Sequence, residues 1–148
     1  MEKTRHNLKT YSIITLGLAV LALLDIAFEL FFGELSGAEM PEGSPDDTLL
    51  ITQIFVLVVS ALILLPQFYI GIKGIKIAVE PDSSIAHIIW GIILIVFTCV
   101  GLISPVISLV QGEGDAFGHI SELCSIAVDA FVLFEYVNYA RAVRSEFA

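Results

Sequence analysis

Long stretches without a basic residue alternate with short basic clusters, and this division constrains the fold of the chain more than any other feature. Residues 10–72 and 77–140 contain no Lys or Arg and are mostly apolar. The seven basic residues form three clusters: Lys3, Arg5 and Lys9; Lys73 and Lys76; Arg141 and Arg144. The chain is 57% hydrophobic and 16% charged, whereas a soluble domain has about 25% charged residues. Apolar runs of this length require a lipid bilayer as the solvent.

Four apolar segments are long enough to cross a bilayer: residues 11–33, 49–72, 84–110 and 117–140. A spanning helix needs about 20 mostly apolar residues, and a backbone in lipid must satisfy its own hydrogen bonds. The first segment exceeds the apolar core of a signal peptide, which is about 7–15 residues, so we expect it to be retained. The sequence therefore predicts an all-α, polytopic membrane protein, a single domain built as a four-helix transmembrane bundle.

The basic clusters also predict the orientation of this bundle. Lys and Arg favour the cytoplasmic side of a membrane, and all of them lie in the N-terminus, the 73–83 loop and the C-terminal tail. The loop of residues 34–48 contains five acidic residues and no basic one, which is typical of the outer side. We predict a multi-pass protein of the plasma (inner) membrane with both termini in the cytoplasm.

A weak internal repeat divides the four segments into two hairpins. Each hairpin ends with two basic residues three positions apart, Lys73 and Lys76 in the first and Arg141 and Arg144 in the second. Repeats of the same orientation are related by an axis along the membrane normal. Any two helical hairpins share some of these features, so a bundle without duplication remains the alternative.

Proline and glycine predict the interruptions. Pro66 and Pro105 lie inside the second and third segments, where each removes one intrahelical hydrogen bond and is a candidate for a kink. Gly112, Gly114 and Gly118 predict a tight turn between the third and fourth segments.

Polar residues within the apolar segments are the candidates for function. At about 1.5 Å per residue, Asp25 and Glu29 lie about 21 and about 27 Å from the cytoplasmic start of their helix. From the outer side, Gln53 lies about 6 Å deep, Glu122 about 7 Å deep and Asp129 near the midplane. Ionisable residues at such depths are costly and point to function. We predict that these five residues bind an ion or a proton, with Glu29 and Glu122 alternatively forming a hydrated rim.

The same residues have no basic partner within reach, because every Lys and Arg is assigned to the cytoplasmic face. Removal from water disfavours a charged carboxylate. Asp25 and Asp129 must therefore be protonated, hydrated, or neutralised by a proton, a metal ion or a cationic substrate. A neutral Asp129 that bonds a neighbouring helix is the purely structural alternative.

A metal site is supported only weakly. His119 and Glu122 are three residues apart on one helix face, and with a carboxylate from the first helix they would form a donor set suited to Zn²⁺ or Mn²⁺.

Motifs for catalysis are missing from the sequence. It has no P-loop, no HExxH, no paired CxxC and no placeable Ser-His-Asp set, and it has no basic patch of the kind that binds nucleic acid. We therefore predict neither an enzyme nor a cofactor, nor a nucleic-acid partner.

The unpaired acids favour a small transporter or channel for a cation or a proton-coupled solute. Four short helices leave little room for a translocation path within one chain, so we expect a homo-oligomer. One alternative is a non-transporting accessory, interaction or sensor protein whose acidic outer loop meets a membrane-protein partner. Another is a bundle that binds lipid or a small hydrophobic molecule.

Overall fold

The computed structural model describes residues 2–32, 47–112 and 115–146, and all of its regular structure is helical in these ranges. The described residues contain five helices: α1 (Glu2–Phe32), α2 (Asp47–Val79), α3 (Ala86–Gly101), α4 (Ile103–Gln111) and α5 (Ala116–Ser145). The predicted all-α class is thus confirmed. Most of the acidic loop 34–48 lies outside the described residues.

Three of these helical stretches are long and apolar enough to cross a membrane. Within the described ranges they are Glu2–Phe32, Ile51–Val79 and Ala86–Gln111, the last combining α3 and α4. They correspond to the first three predicted segments and indicate a membrane protein.

The helices extend well beyond the predicted segments at one end of the molecule. α1 begins at Glu2, α2 continues to Val79 and α5 continues to Ser145. An apolar run marks only the part of a helix that suits a bilayer core, whereas backbone hydrogen bonding continues into the polar flanks. The basic clusters therefore lie on helices.

The third predicted segment is two helices that meet at Leu102. Pro105 has no amide hydrogen to donate to the carbonyl of Gly101, and its ring crowds that carbonyl. The chain responds with a tighter turn, in which the Leu102 amide donates to the Cys99 carbonyl at 3.3 Å. Pro66, by contrast, lies within an uninterrupted α2.

The predicted turn after α4 is described only in part, because residues 113 and 114 lie outside the described residues and Gly118 lies within α5. Gly112 ends α4 with a φ of 69°, a left-handed conformation that suits glycine. Asp115 then caps α5, because its carboxylate accepts hydrogen bonds from the amides of Phe117 and Gly118.

The helices pack as two hairpins that join side by side. α1 packs against α2, and α5 packs against both α3 and α4. The hairpins meet through α1 with α5 and through α2 with α3. Duplication of one hairpin remains a prediction.

The core lies toward the end of the bundle that carries the chain termini, which we call the termini end. Leu8 of α1, Ile77 of α2, Ile88 of α3 and Val143 of α5 belong to one buried cluster. The rings of Tyr11 and Tyr139 stack beside it at 5.5 Å. The opposite end, near residues 32, 47 and 116, is the loop end. All three basic clusters therefore lie on the termini end.

An ion pair stabilises the connection between α2 and α3. The Lys73 ammonium donates to Asp82 Oδ2 at 2.6 Å, and Asp82 Oδ1 accepts from the Ser84 amide. α3 begins after Ile85 with no side-chain cap, so Asp82 does not cap this helix. The carboxylate instead tightens the turn and anchors it to α2.

Replacement of Asp82 with asparagine is expected to lower the melting temperature slightly at neutral pH. The hydrogen bond from Lys73 holds the pKa of the Asp82 carboxyl below its usual value of 3.8. A lowered pKa stabilises the fold above the usual value, and this contribution disappears as the pH falls below it. The difference between the Asp82→Asn variant and the wild type should therefore vanish in acid, as followed by thermal unfolding in detergent. Glu80→Gln, which changes an exposed neighbouring carboxylate, is the matched control; an equal effect there would contradict this account.

Candidate functional site

A cleft of about 700 Å³ opens between four helices on the loop side of the core. Its walls come from residues 18–26 of α1, 60–67 of α2, 97–101 of α3 and 125–129 of α5. On both α1 and α2 the cleft lies mainly on the loop side of the buried residues. The helices therefore pack closely at the termini end and diverge around the cleft.

Two of the predicted carboxylates line this one cleft. Asp25 reaches it from α1 and Asp129 from α5. Asp25 is exposed within the open cleft, whereas Asp129 is half-buried. The structure thus brings together residues that are 104 positions apart in the sequence.

Gln67 of α2 positions the deeper carboxylate. Its side-chain amide donates to Asp129 Oδ1 at 3.3 Å, and its residue surface is only 5% exposed. No such hydrogen bond reaches Asp25 from the described residues, and its side chain is exposed within the cleft.

Helical spacing explains the polar groups of the cleft. Ser60 and Gln67 are seven residues apart, or about two turns of α2, and Ser125 lies one turn before Asp129 on α5. Such pairs share one helix face. The sequence interpretation did not identify Gln67, although an uncharged amide within an apolar helix is a usable signal.

Two of the other predicted residues lie outside the lining of the cleft. Neither Glu122 nor Gln53 is among the residues that line the cleft. The Glu122 side chain is 56% exposed and lies 4.0 Å from His119 Nδ1, measured at its Oε2 atom. The side chain of Glu29 lies outside the described part of the structure.

The weak metal candidate gains no third ligand in the structure. Within the described residues, no group of three or more His, Cys, Asp or Glu side chains could hold a metal ion. His119 and Glu122 are neighbours on α5, and the Glu29 side chain of α1 lies outside the described residues.

The cleft has a one-sided charge. Its described lining contains two carboxylates and no Lys, Arg or His. Along α5, Arg141 lies about 18 Å from Asp129, and Lys73 is engaged by Asp82. The electrostatic field in the cleft therefore favours a positively charged ligand.

Close packing ends the cleft at the termini end. Gly74 of α2 lies so near α1 and α5 that an added Cβ would overlap Ser12 Oγ and lie 2.6 Å from Tyr136 Cε2. Gly91 of α3 similarly faces Val137 of α5, at 2.7 Å from the corresponding position. The ring of His87, which is 1% exposed, meets the Tyr136 ring edge-on at 6.3 Å. A ligand in the cleft thus meets a closed floor.

The fold and this cleft define a helical membrane protein with an acidic internal cleft. Comparison with known proteins finds no matching protein family, no similar curated protein and no similar solved structure.

Proposed function

We propose that this chain is a small integral membrane protein that binds a cation, or a solute coupled to protons, in the acidic cleft and moves it across the membrane. The observation that carries the proposal is the pair of carboxylates, Asp25 and Asp129, in one cleft whose described lining has no basic group. Such carboxylates are costly in a membrane unless a ligand, water or a proton compensates them.

The proposal includes a fourth membrane-spanning helix. α5 has 30 residues, which corresponds to about 45 Å of helix. It packs along α1, α3 and α4, which belong to membrane-long stretches. A helix held in this way would share their environment, and four crossings would bring both termini to one side.

That side would be the cytoplasm. The termini end carries all seven basic residues, and basic residues mark the cytoplasmic side of short membrane proteins. The cleft would then lie toward the outer side, with its closed floor toward the cytoplasm.

Transport through this arrangement requires two steps. A cation enters the cleft and is neutralised by Asp25 and Asp129, with Gln67 fixing the orientation of the second carboxylate. The floor around Gly74 must then separate, because its helices leave no space in the closed form. Protonation of the same carboxylates would release the cation and supply a route for proton coupling. We propose that a homo-oligomer supports this movement, since one four-helix chain has few helices to spare.

The test uses protein reconstituted in liposomes, with Na⁺, K⁺, tetraethylammonium and proton flux as readouts. Asp25→Asn keeps the side-chain shape and removes the charge, so flux should fall by about tenfold or more. Glu122→Gln is the matched control, because it removes a carboxylate that does not line the cleft, and its flux should match the wild type. Wild-type flux in Asp25→Asn protein would overturn the proposal.

The apolar walls of the cleft favour a second candidate, the binding of a lipid or a small hydrophobic molecule without transport. Leu18, Leu21, Ile63 and Ile126 all contribute to these walls. Native mass spectrometry of protein from membranes would detect such a ligand. The accessory or sensor hypothesis depends on the loop 34–48, which lies largely outside the described residues.

A further inference from the structure

We infer that the ligand of the cleft is an organic cation with an apolar body, such as a substituted ammonium or phosphonium ion, rather than a bare inorganic ion. This inference rests on the proposed function, because it names the substrate class of the same cleft. Size, lining and charge each contribute to it.

The size of the cleft suits an organic molecule. Its volume is about 700 Å³, and pockets for drug-sized ligands range from about 300 to about 1,000 Å³. A bare metal ion needs a small cage in which several oxygen atoms lie within about 2.0–2.6 Å. The described residues provide no cluster of three or more metal-binding side chains. The open volume would therefore remain mostly unfilled around such an ion.

The walls suit an apolar body. Leu21 of α1, Ile63 of α2 and Ile126 of α5 line the cleft together with the ring of Phe97 from α3. Burial of apolar ligand surface against such side chains is favourable. An aromatic face also attracts a cation within about 6 Å of its centre. These groups would give a hydrated inorganic ion nothing in exchange for its water.

The polar groups of the cleft suit a weakly hydrated cation. Asp25 and Asp129 are the only ionisable residues in the described lining, and the other polar groups there are Gln67 and three hydroxyls. Apolar substituents lower the hydration of an ammonium or phosphonium centre, so less is lost when it leaves water. Charge complementarity and apolar contact then act on the same molecule, which neither an anion nor a neutral lipid would satisfy.

The first test compares two ions of nearly the same size and shape and opposite charge. Purified full-length protein in detergent is titrated with labelled tetraphenylphosphonium, a cation, and with tetraphenylborate, an anion. We expect saturable binding of the cation that is at least about tenfold tighter than that of the anion. Equal binding of the two ions would overturn the inference, and this comparison needs no variant.

The second test assigns the cation to the cleft. Asp25→Asn and Asp129→Asn should each weaken tetraphenylphosphonium binding by about tenfold or more, and Phe97→Ala should weaken it by about threefold. Glu122→Gln should leave it unchanged. Size-exclusion chromatography and thermal unfolding establish that each variant is folded. Unchanged binding in the Asp25 and Asp129 variants, or an equal loss in Glu122→Gln, would overturn the assignment.

The two levels of the proposal can fail separately. Carboxylate-dependent flux of Na⁺, K⁺ or protons without tetraphenylphosphonium binding would overturn the organic-cation inference and support transport. Selective tetraphenylphosphonium binding without flux of Na⁺, K⁺, protons or a poorly membrane-permeant organic cation such as tetraethylammonium would overturn transport and support the ligand class.

Discussion

Replacement of Gly74 with leucine is expected to cost the fold about 3 kcal/mol or more, the largest stability effect we predict. Three helices meet at this glycine: α2 carries it, Ser12 approaches from α1 and Tyr136 from α5. Even a single added carbon would overlap Ser12 Oγ. Ser12 cannot retreat easily, because its hydroxyl donates to the Leu8 carbonyl at 2.7 Å, and the Tyr136 ring is fully buried.

Overpacking at this point would separate α2 from two partners at once. Inserted side-chain atoms in a well-packed core typically cost about 1–3 kcal/mol and occasionally more, and leucine adds four carbons. Unfolding would be followed by tryptophan fluorescence or circular dichroism in a mixed-micelle titration. We expect Gly74→Leu protein to unfold at a markedly lower denaturant fraction than the wild type, or to fail to accumulate.

Gly17 provides the matched control. It lies on α1, and nothing else comes within 4 Å of a Cβ built at its position. Gly17→Leu adds the same atoms in open space and also removes the conformational freedom of glycine, so its stability should equal or exceed that of the wild type. Similar losses of stability in Gly17→Leu and Gly74→Leu protein would contradict this account. They would mean that replacing a helical glycine, rather than the close approach of the helices at Gly74, lowers the stability.

The helices of this chain and the meeting of Asp25 with Asp129 follow from the sequence by simple arguments. Apolar length predicts membrane-long helices, and three are confirmed. Short connections make successive helices antiparallel. A residue near the end of one helix and a residue near the start of the next can therefore lie at a similar depth in the membrane. On this basis the sequence places Asp25 toward the outer side and Asp129 near the midplane, and the two line one cleft.

Other features depend on how far the cleft extends along each helix, which the sequence pattern alone does not determine. Asp129 faces the cleft, whereas Glu122, seven residues earlier on the same α5, does not line it. Seven residues correspond to about 10.5 Å along α5, and the α5 lining of the cleft begins at Ser125. Glu122 therefore lies on the loop-end side of that lining. A shared helix face therefore predicted more convergence than the structure shows.

The two prolines illustrate the same limit. Both lack an amide hydrogen, yet α2 continues through Pro66, whereas α3 and α4 separate three residues before Pro105. Close contact of α2 with α1 at Gly71 and Gly74 holds it in line just beyond Pro66. Local sequence identifies the weakened hydrogen bond, but tertiary packing decides whether the helix breaks.

The largest functional effect should come from the deeper carboxylate. Asp129→Asn is expected to reduce carboxylate-dependent cation flux by about 30-fold or more, because loss of one partner of a buried charge pair costs about 2–5 kcal/mol and about 1.4 kcal/mol corresponds to tenfold. The fold should survive, since asparagine has nearly the same shape and its side-chain oxygen can still accept from Gln67 Nε2. Asp129→Glu retains the charge but shifts it by one methylene, so its flux should lie between those of the wild type and the asparagine variant.

A double-mutant cycle then shows whether Asp25 and Asp129 act on one bound cation. Independent sites give additive losses, whereas residues that share a ligand show a coupling energy. If both carboxylates neutralise the same cation, Asp25→Asn should reduce flux much less in the Asp129→Asn background than in the wild type. Glu122→Gln, combined with Asp129→Asn in the same way, should show no coupling because it lies outside the cleft lining. Additive losses for Asp25 and Asp129 would contradict a shared site and would assign the two carboxylates to separate steps of the path.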